Sequence, residues 1–264
     1  MNLTRAYAIL LRQFYLILHG KMRIMDIFYW PALDLVLWGL IAAYFGRAGG
    51  ADAAFTSTLV GALIFWYFFT RIQYGIIISF LEDVWTRNFM NLFASPLSVG
   101  EYVLGLIFSS VLRTVPAIVF MALLAFLLFS YNIFQFGIFM VPFAAVLFVF
   151  GTALGVMTTA IVLRFGPSSE FLAWSIPAFL LPFSGVFYPT SFLPGIVRPW
   201  VEVLPSTYVF EGMRTVLFSG TFDGSGFWWA LLFSVVVFIA AYAFIVRIYK
   251  IVLRKGLFTR FMTN

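Results

Sequence analysis

Six runs of apolar residues, each long enough to cross a bilayer, constrain this chain more than any other feature. A helix needs about 20 predominantly apolar residues to span the hydrocarbon core. Such runs occupy residues 27–46, 56–81, 101–129, 132–163, 169–188 and 227–249. The 264 residues are 63% hydrophobic and only 10% charged. That is more apolar surface than a soluble core of this length absorbs, since soluble domains carry about 25% charged residues. The expectation is an all-α integral membrane protein with six transmembrane helices. No hydrophilic stretch separates the spans, so residues 1–264 read as a single transmembrane domain.

Before the first run, Leu3, Tyr7, Leu10, Leu11, Phe14, Tyr15 and Leu18 recur at helical spacing, with Arg5 and Arg12 among them. This pattern predicts an interfacial amphipathic helix within residues 1–25; a simple extension of the first span is the alternative. Basic residues set the orientation. With both termini in the cytoplasm, eleven Lys and Arg fall inside (Arg5, Arg12, Lys21, Arg23, Arg87, Arg164, Arg247, Lys250, Arg254, Lys255 and Arg260). Only Arg47, Arg198 and Arg214 fall outside, as the positive-inside rule requires. The net charge of +6 therefore reads as membrane topology, not as a nucleic-acid footprint.

Several chemistries are excluded. The chain has no cysteine and a single histidine, His19, so thiolate catalysis, disulfides, iron–sulfur clusters and a metal site lack their ligands. It has no GxxxxGK[ST] phosphate loop, so any ATP and Mg²⁺ are bound by a partner. No intramembrane Asp, Glu, His and Ser cluster as a lipid-processing enzyme needs. No cofactor and no catalytic residue is expected in this chain.

Two segments between spans carry shape. In the cytoplasmic segment 82–98, Trp85, Phe89, Leu92 and Phe93 fall on one helical face and Arg87, Asn91 and Ser95 on another. Pro96 disfavours helix at Ser95, and Ser98 with Glu101 forms a capping box that starts the next span. The result is a short surface helix joined rigidly to a span, either a lever for a cytoplasmic partner or an ordinary interfacial loop. On the outer side, Pro182, Pro189, Pro194, Pro199 and Pro205 break the chain into short pieces. Re-entrant or interfacial helices are expected over 189–226, with Glu211 and Arg214 placed to pair on one face.

Three charges fall inside spans. Asp34 lies roughly 12 Å and Arg71 roughly 15 Å from the inner ends of theirs, so a buried Asp34–Arg71 pair is expected. Arg113 sits near the middle of the third span and faces either a polar cavity or polar groups in the bundle. Gly151 and Gly155 form a GxxxG pair that permits close helix approach, within the chain or between chains. Trp30, Trp38, Tyr44, Trp174 and Phe179 either line a substrate path or belong to lipid-facing belts.

The run SGVFYP (184–189), then LP, then LPSTYVFEGMR (204–214), before the last span, resembles the signature of ABC type 2 exporter permeases. SPLSVGEYVLG (95–105) and the six-span length are similar as well. Where many members carry Gly-Thr-X-Glu, this chain has Arg87-Asn88-Phe89-Met90-Asn91. This tryptophan-containing variant, with Trp85 just before it, resembles the branch that includes lipo-oligosaccharide and drug exporters. The resemblance implies a second permease in a homodimer or heterodimer, located in the inner (plasma) membrane, with two cytoplasmic ATP-binding-cassette ATPase subunits. It implies a coupling helix over 85–96, with Trp85, Arg87, Asn88, Phe89, Leu92, Phe93 and Pro96 seated in the ATPase. It implies an outer gate around Gly185, Tyr188, Pro189, Pro194, Pro205, Tyr208, Glu211 and Arg214. Substrate, whether lipid, glycolipid, polysaccharide or drug, would pass at the subunit interface along the first, second and fifth spans. An ATP-independent channel or scramblase is the alternative.

Overall fold

The computed structural model describes residues 3–48, 53–86, 88, 91–92 and 95–255. Among the described residues every regular element is helical. In chain order they are α1 (Leu3–His19), α2 (Lys21–Ala48), α3 (Ala53–Trp85) and α4 (Val99–Phe129). A 3₁₀ stretch, Ile133–Phe139, leads into α5 (Met140–Phe165). Then come α6 (Leu172–Leu180), α7 (Arg198–Glu202), α8 (Pro205–Ser219) and α9 (Gly224–Arg254).

Five helices are long and apolar enough to cross a membrane: α2, α3, α4, α5 with its 3₁₀ lead-in, and α9. The run at 169–188 behaves differently. It contains only the nine-residue α6, closed by a 3₁₀ turn at Leu181–Phe183. Helical backbone from Leu172 to Phe183 reaches about 18 Å, short of the roughly 30 Å hydrocarbon core. Prolines are the cause: Pro177 and Pro182 lack the N–H that the ladder needs.

Helix α3 is the axis of the bundle and packs against α2, α4, α5, α6 and α8. Its apolar window is 78% buried, against 22–28% in the other four long helices. It is also the least hydrophobic of the five. Polar groups are costly against lipid but tolerable against protein, and α3 buries Thr70, Gln73, Ser79, Glu82 and Asp83. Glycines let neighbours close on it. A Cβ on Gly75 would sit 2.7 Å from the Cα of Ser110 on α4. Cβ atoms on Gly151 and Gly155 would meet the carbonyl oxygens of Phe69 and Gln73 at 2.9 and 3.0 Å. The GxxxG pair of α5 therefore packs within the chain, against α3.

Gly20 separates α1 from α2, so the N-terminal helix is an element of its own. Its buried residues are Ala6, Ile9, Gln13 and Ile17, which pack it along α4, with Ile9 filling the space beside Gly105. The apolar stripe that marked this helix in the sequence, Leu3, Tyr7, Leu11, Phe14 and Leu18, points outward and is exposed. Helix α1 thus turns a small, partly polar face to protein and leaves its greasy face for lipid, as an interfacial helix does.

The start of α4 is fixed locally. The Glu101 N–H donates to the Ser98 hydroxyl (3.3 Å) and the Ser98 N–H donates to the Glu101 carboxylate (2.9 Å), completing the capping box. Ser98→Ala will cost about 1 kcal/mol. Amide hydrogen exchange over residues 99–103 should then run roughly fivefold faster, with α9 unchanged.

Candidate functional sites at the two ends of the bundle

At the end of the bundle where α3 finishes and α4 begins, charged and polar side chains from four helices hold it together. The consecutive carboxylates Glu82 and Asp83, in the last turn of α3, each collect a different set of partners. Glu82 accepts from Arg23 of α2 (2.7 Å) and from Arg113 of α4 (2.6 Å). Asp83 accepts from Arg12 of α1 (2.5 Å) and from the Tyr102 hydroxyl of α4 (2.8 Å). Arg113 also donates to the Gln13 side chain of α1 (3.1 Å). Both carboxylates, Arg113, Gln13 and Tyr102 are buried. At 33 and 31 residues, α3 and α4 are about 50 and 46 Å long. They outreach the roughly 30 Å hydrocarbon core, so residues at their ends can stand among the headgroups, where charge is cheaper to hold.

The network runs on into the segment between α3 and α4. Arg5 of α1 donates to the carbonyl of Pro96 and lies 3.7 Å from the Glu101 carboxylate. A cleft of about 360 Å³ opens between α1 and this segment, lined by Arg5, Ile9, Arg12, Leu92, Pro96 and Leu97 among others. Trp85 is exposed and donates its indole N–H to Glu170 (3.3 Å). The Asn88 N–H bonds the Asp83 carbonyl (3.0 Å), and Leu92 packs against the core. Arg87, Phe89 and Phe93 lie outside the described residues.

The opposite end solves a different problem. Between Leu180 and Thr190 the chain leaves the helix, and its backbone groups need partners that lipid does not offer. Side chains supply them. Nearer the start of α6, Gln73 of α3 donates to the Ala173 carbonyl (3.2 Å), the group that Pro177 leaves without a helical donor. Ser184 bonds the Leu180 carbonyl (2.8 Å) and Tyr188 the Pro182 carbonyl (2.5 Å). The rest come from one face of α8. Thr207 donates to the Phe183 carbonyl (3.2 Å), and Arg214 to the carbonyls of Gly185 and Val186. Glu211 accepts the Thr190 N–H (2.6 Å). Thr207, Glu211 and Arg214 recur at spacings of four and three, one face of a helix, and splint the broken segment. Burial pushes the Arg214 guanidinium below its ordinary value, while Glu211, 3.4 Å away, opposes the shift.

Gly185 adopts the left-handed region (φ 67°) within this break, where glycine alone is unstrained. Pro189 precedes the 3₁₀ turn Thr190–Phe192, the Pro194 carbonyl accepts the N–H groups of Val197 and Arg198, and Pro205 opens α8. The Tyr208 hydroxyl bonds the carbonyl of Asp223, whose side chain caps α9.

The intramembrane charges pair otherwise than expected. Arg71 bonds Asp26 (Nη1 to Oδ2, 3.0 Å) and the Tyr67 hydroxyl, not Asp34. Asp26 is one turn into α2, nearer the headgroups than Asp34, so the long Arg71 side chain reaches toward the interface to meet it. Arg113 is absorbed by Glu82. Of the aromatics, Trp38 stacks on Phe187 with centroids 4.5 Å apart, and Trp174 lies 5.8 Å from Tyr74. Trp30, Tyr44 and Phe179 are exposed.

The sequence reading passed over Glu82, Asp83, Arg12, Arg23 and Thr207 as site residues. The available signal was an acid pair closing an apolar run, opposite the basic residues of the N-terminal helix.

The family model described as ABC-2 type transporter matches residues 6–218. The chain belongs to this family. No curated protein matches the sequence. An ABC-2 type permease is a multi-pass membrane transport subunit, not a catalyst, and its family normally pairs with ATP-binding subunits. The match takes in both ends of the bundle, the carboxylates of α3 and the splinting face of α8.

Proposed function

We propose that this permease is the membrane half of an ATP-driven exporter. It works as a homodimer with two cytoplasmic ATPase subunits that bind ATP and Mg²⁺. It moves a hydrophobic or amphiphilic molecule out of the cytoplasm or inner leaflet, across the inner (plasma) membrane. The observation that carries this reading is the fastening of residues 95–98. They are fixed to α4 by the capping box and to α1 by the Arg5–Pro96 bond, while Asn88 is bonded back to α3. A push on residues 85–96 is therefore delivered to α1, α3 and α4 together, as rigid-body switching between two packings requires.

Cytoplasmic placement of both termini needs an even number of crossings. The short α6 segment supports a sixth. It begins with Glu170 beside Trp85, at the inner end of α3. It finishes with Val186 and Phe187 beside Thr58 and Leu59, at the outer end, around a cavity of about 210 Å³. Extended and 3₁₀ backbone rises further per residue than α-helix, which lets so few residues travel the length of the bundle.

The test is co-expression with a candidate ATP-binding-cassette subunit and purification in detergent. Wild type should co-elute with ATPase activity, and Phe89→Asp and Phe93→Asp should each lose co-elution. If the wild-type chain alone moves a fluorescent lipid across liposome membranes and binds no ATPase, a scramblase or channel replaces the exporter.

A further inference from the structure

The Arg71–Asp26 pairing leaves a carboxylate over. Arg71 makes four hydrogen bonds, two to Asp26 and two to the Tyr67 hydroxyl. Its guanidinium has five N–H donors, so it has little left to give. Asp34 has neither a hydrogen bond nor an ion pair among the described residues. It is half-buried, eight residues (about 12 Å) further along α2 than Asp26. That depth is mid-membrane, where an unpaired charge costs at least about 2.5 kcal/mol. Alone at that depth the group neutralises, and it stays a carboxylate only when water or a cation reaches it.

The surroundings favour a particular cation. Trp30 and Trp38 lie four residues before and after Asp34, so the three share one face of α2. Trp30 is exposed, and Trp38 is half-buried with its ring fixed against Phe187. From the facing elements come Tyr67 and Arg71, already engaged, then Tyr74 and Trp174, in ring contact with each other. With Asp26 and Arg71 cancelling, an ionised Asp34 gives this face a net charge of −1 beside two indoles. An ammonium or phosphonium group gains from both, by Coulomb attraction to the carboxylate and by interaction with the indole faces. Its apolar body meets aliphatic and aromatic surface.

We infer that Trp30, Asp34 and Trp38 recognise the positively charged head of an amphiphilic substrate, an organic amine or quaternary onium ion. The inference names the substrate class for the export reading above and rests on it for physiological meaning. Binding itself is measurable on the chain alone.

The experiment is equilibrium binding of tritiated tetraphenylphosphonium to the purified full chain in a neutral detergent, with hexadecyltrimethylammonium and oleate as competitors. Wild type should bind the phosphonium, and the ammonium but not oleate should displace it. Asp34→Asn should weaken binding tenfold or more at unchanged thermal midpoint. Asp34→Glu should stay within about threefold, and Trp38→Leu should lose several-fold. Absence of cation binding to wild type overturns the inference, as do displacement by oleate alone or equal affinity in Asp34→Asn. If Asp34→Asn instead turns a dimer into monomers without changing affinity, the carboxylate belongs to a contact between copies and the inference is again overturned. Co-elution with the ATPase is read separately, so loss of cation binding with retained ATPase leaves the exporter standing, and the converse leaves the cation site standing.

Discussion

Glu82→Gln will destabilise the permease by roughly 3–5 kcal/mol, the range for removing one partner of a buried ion pair. The reason is the charge left behind. Arg113 has 9% side-chain exposure and forms an ion pair with no other carboxylate among the described residues, whereas Arg23, at 31%, can turn toward water. The two arginines can therefore be told apart. In the Glu82→Gln background, Arg113→Gln should restore more than half of the lost stability, and Arg23→Gln should restore almost none. Thermal unfolding of the purified chain in detergent reads the comparison. Equal rescue by both would mean that Arg113 is solvated.

Gly75→Ala should cost roughly 1–3 kcal/mol, the price of overpacking a close-packed contact. A methyl group there would stand 2.7 Å from both the Cα and the Cβ of Ser110. Side-chain rotation cannot relieve a clash with backbone, so α4 itself must move away from α3. Ser110→Gly removes one of the two clashing atoms and should rescue the variant only in part. Gly195→Ala, where nothing lies within 4 Å, is the control and should change stability by less than about 0.5 kcal/mol. A Gly75→Ala chain as stable as the control would show that α3 and α4 slide apart freely. The same displacement separates the ends of two helices that residues 86–98 join, so on the proposed exporter reading this variant should also reduce ATPase stimulation.

Much of the architecture was legible in the sequence because the bilayer reads sequence crudely. A helix such as α9, with lipid around most of it, must be apolar nearly throughout, and its run at 227–249 marks it within a few residues at each end. Local chemistry was legible too: Ser98 and Glu101 specify their capping box within four residues of chain. The segment at 169–188 misled because apolar composition says that a stretch belongs in the membrane, not that its backbone is helical there. Pro177 and Pro182 were the warning. Their consequences depend on Gln73, Thr207 and Arg214, up to 104 residues away from Pro177, which no local pattern ties to them. Helix α1 was legible as an amphipathic element, but the face that packs on α4, which includes a glutamine, was not read from its pattern. In a membrane the greasier side of a helix is not the side that meets protein. Partner choice among charges was the least legible. Asp34 and Asp26 are both within a few turns of Arg71, and side-chain reach decided between them.

A nascent α4 meets the bilayer with Arg113 near its centre, which costs about 2.5–3.5 kcal/mol if it partitions alone. The carboxylate that neutralises it was synthesised just before, at the end of α3. The two helices are thus best inserted as a hairpin, with each masking the other's charge. Helix α1 emerges from the ribosome earlier than either, yet its anchors on Asp83, Glu101 and the Pro96 carbonyl do not exist until that hairpin is in place. The first helix made is the last to settle, and until it does its outward apolar stripe keeps it at the membrane surface, waiting beside the site it will close.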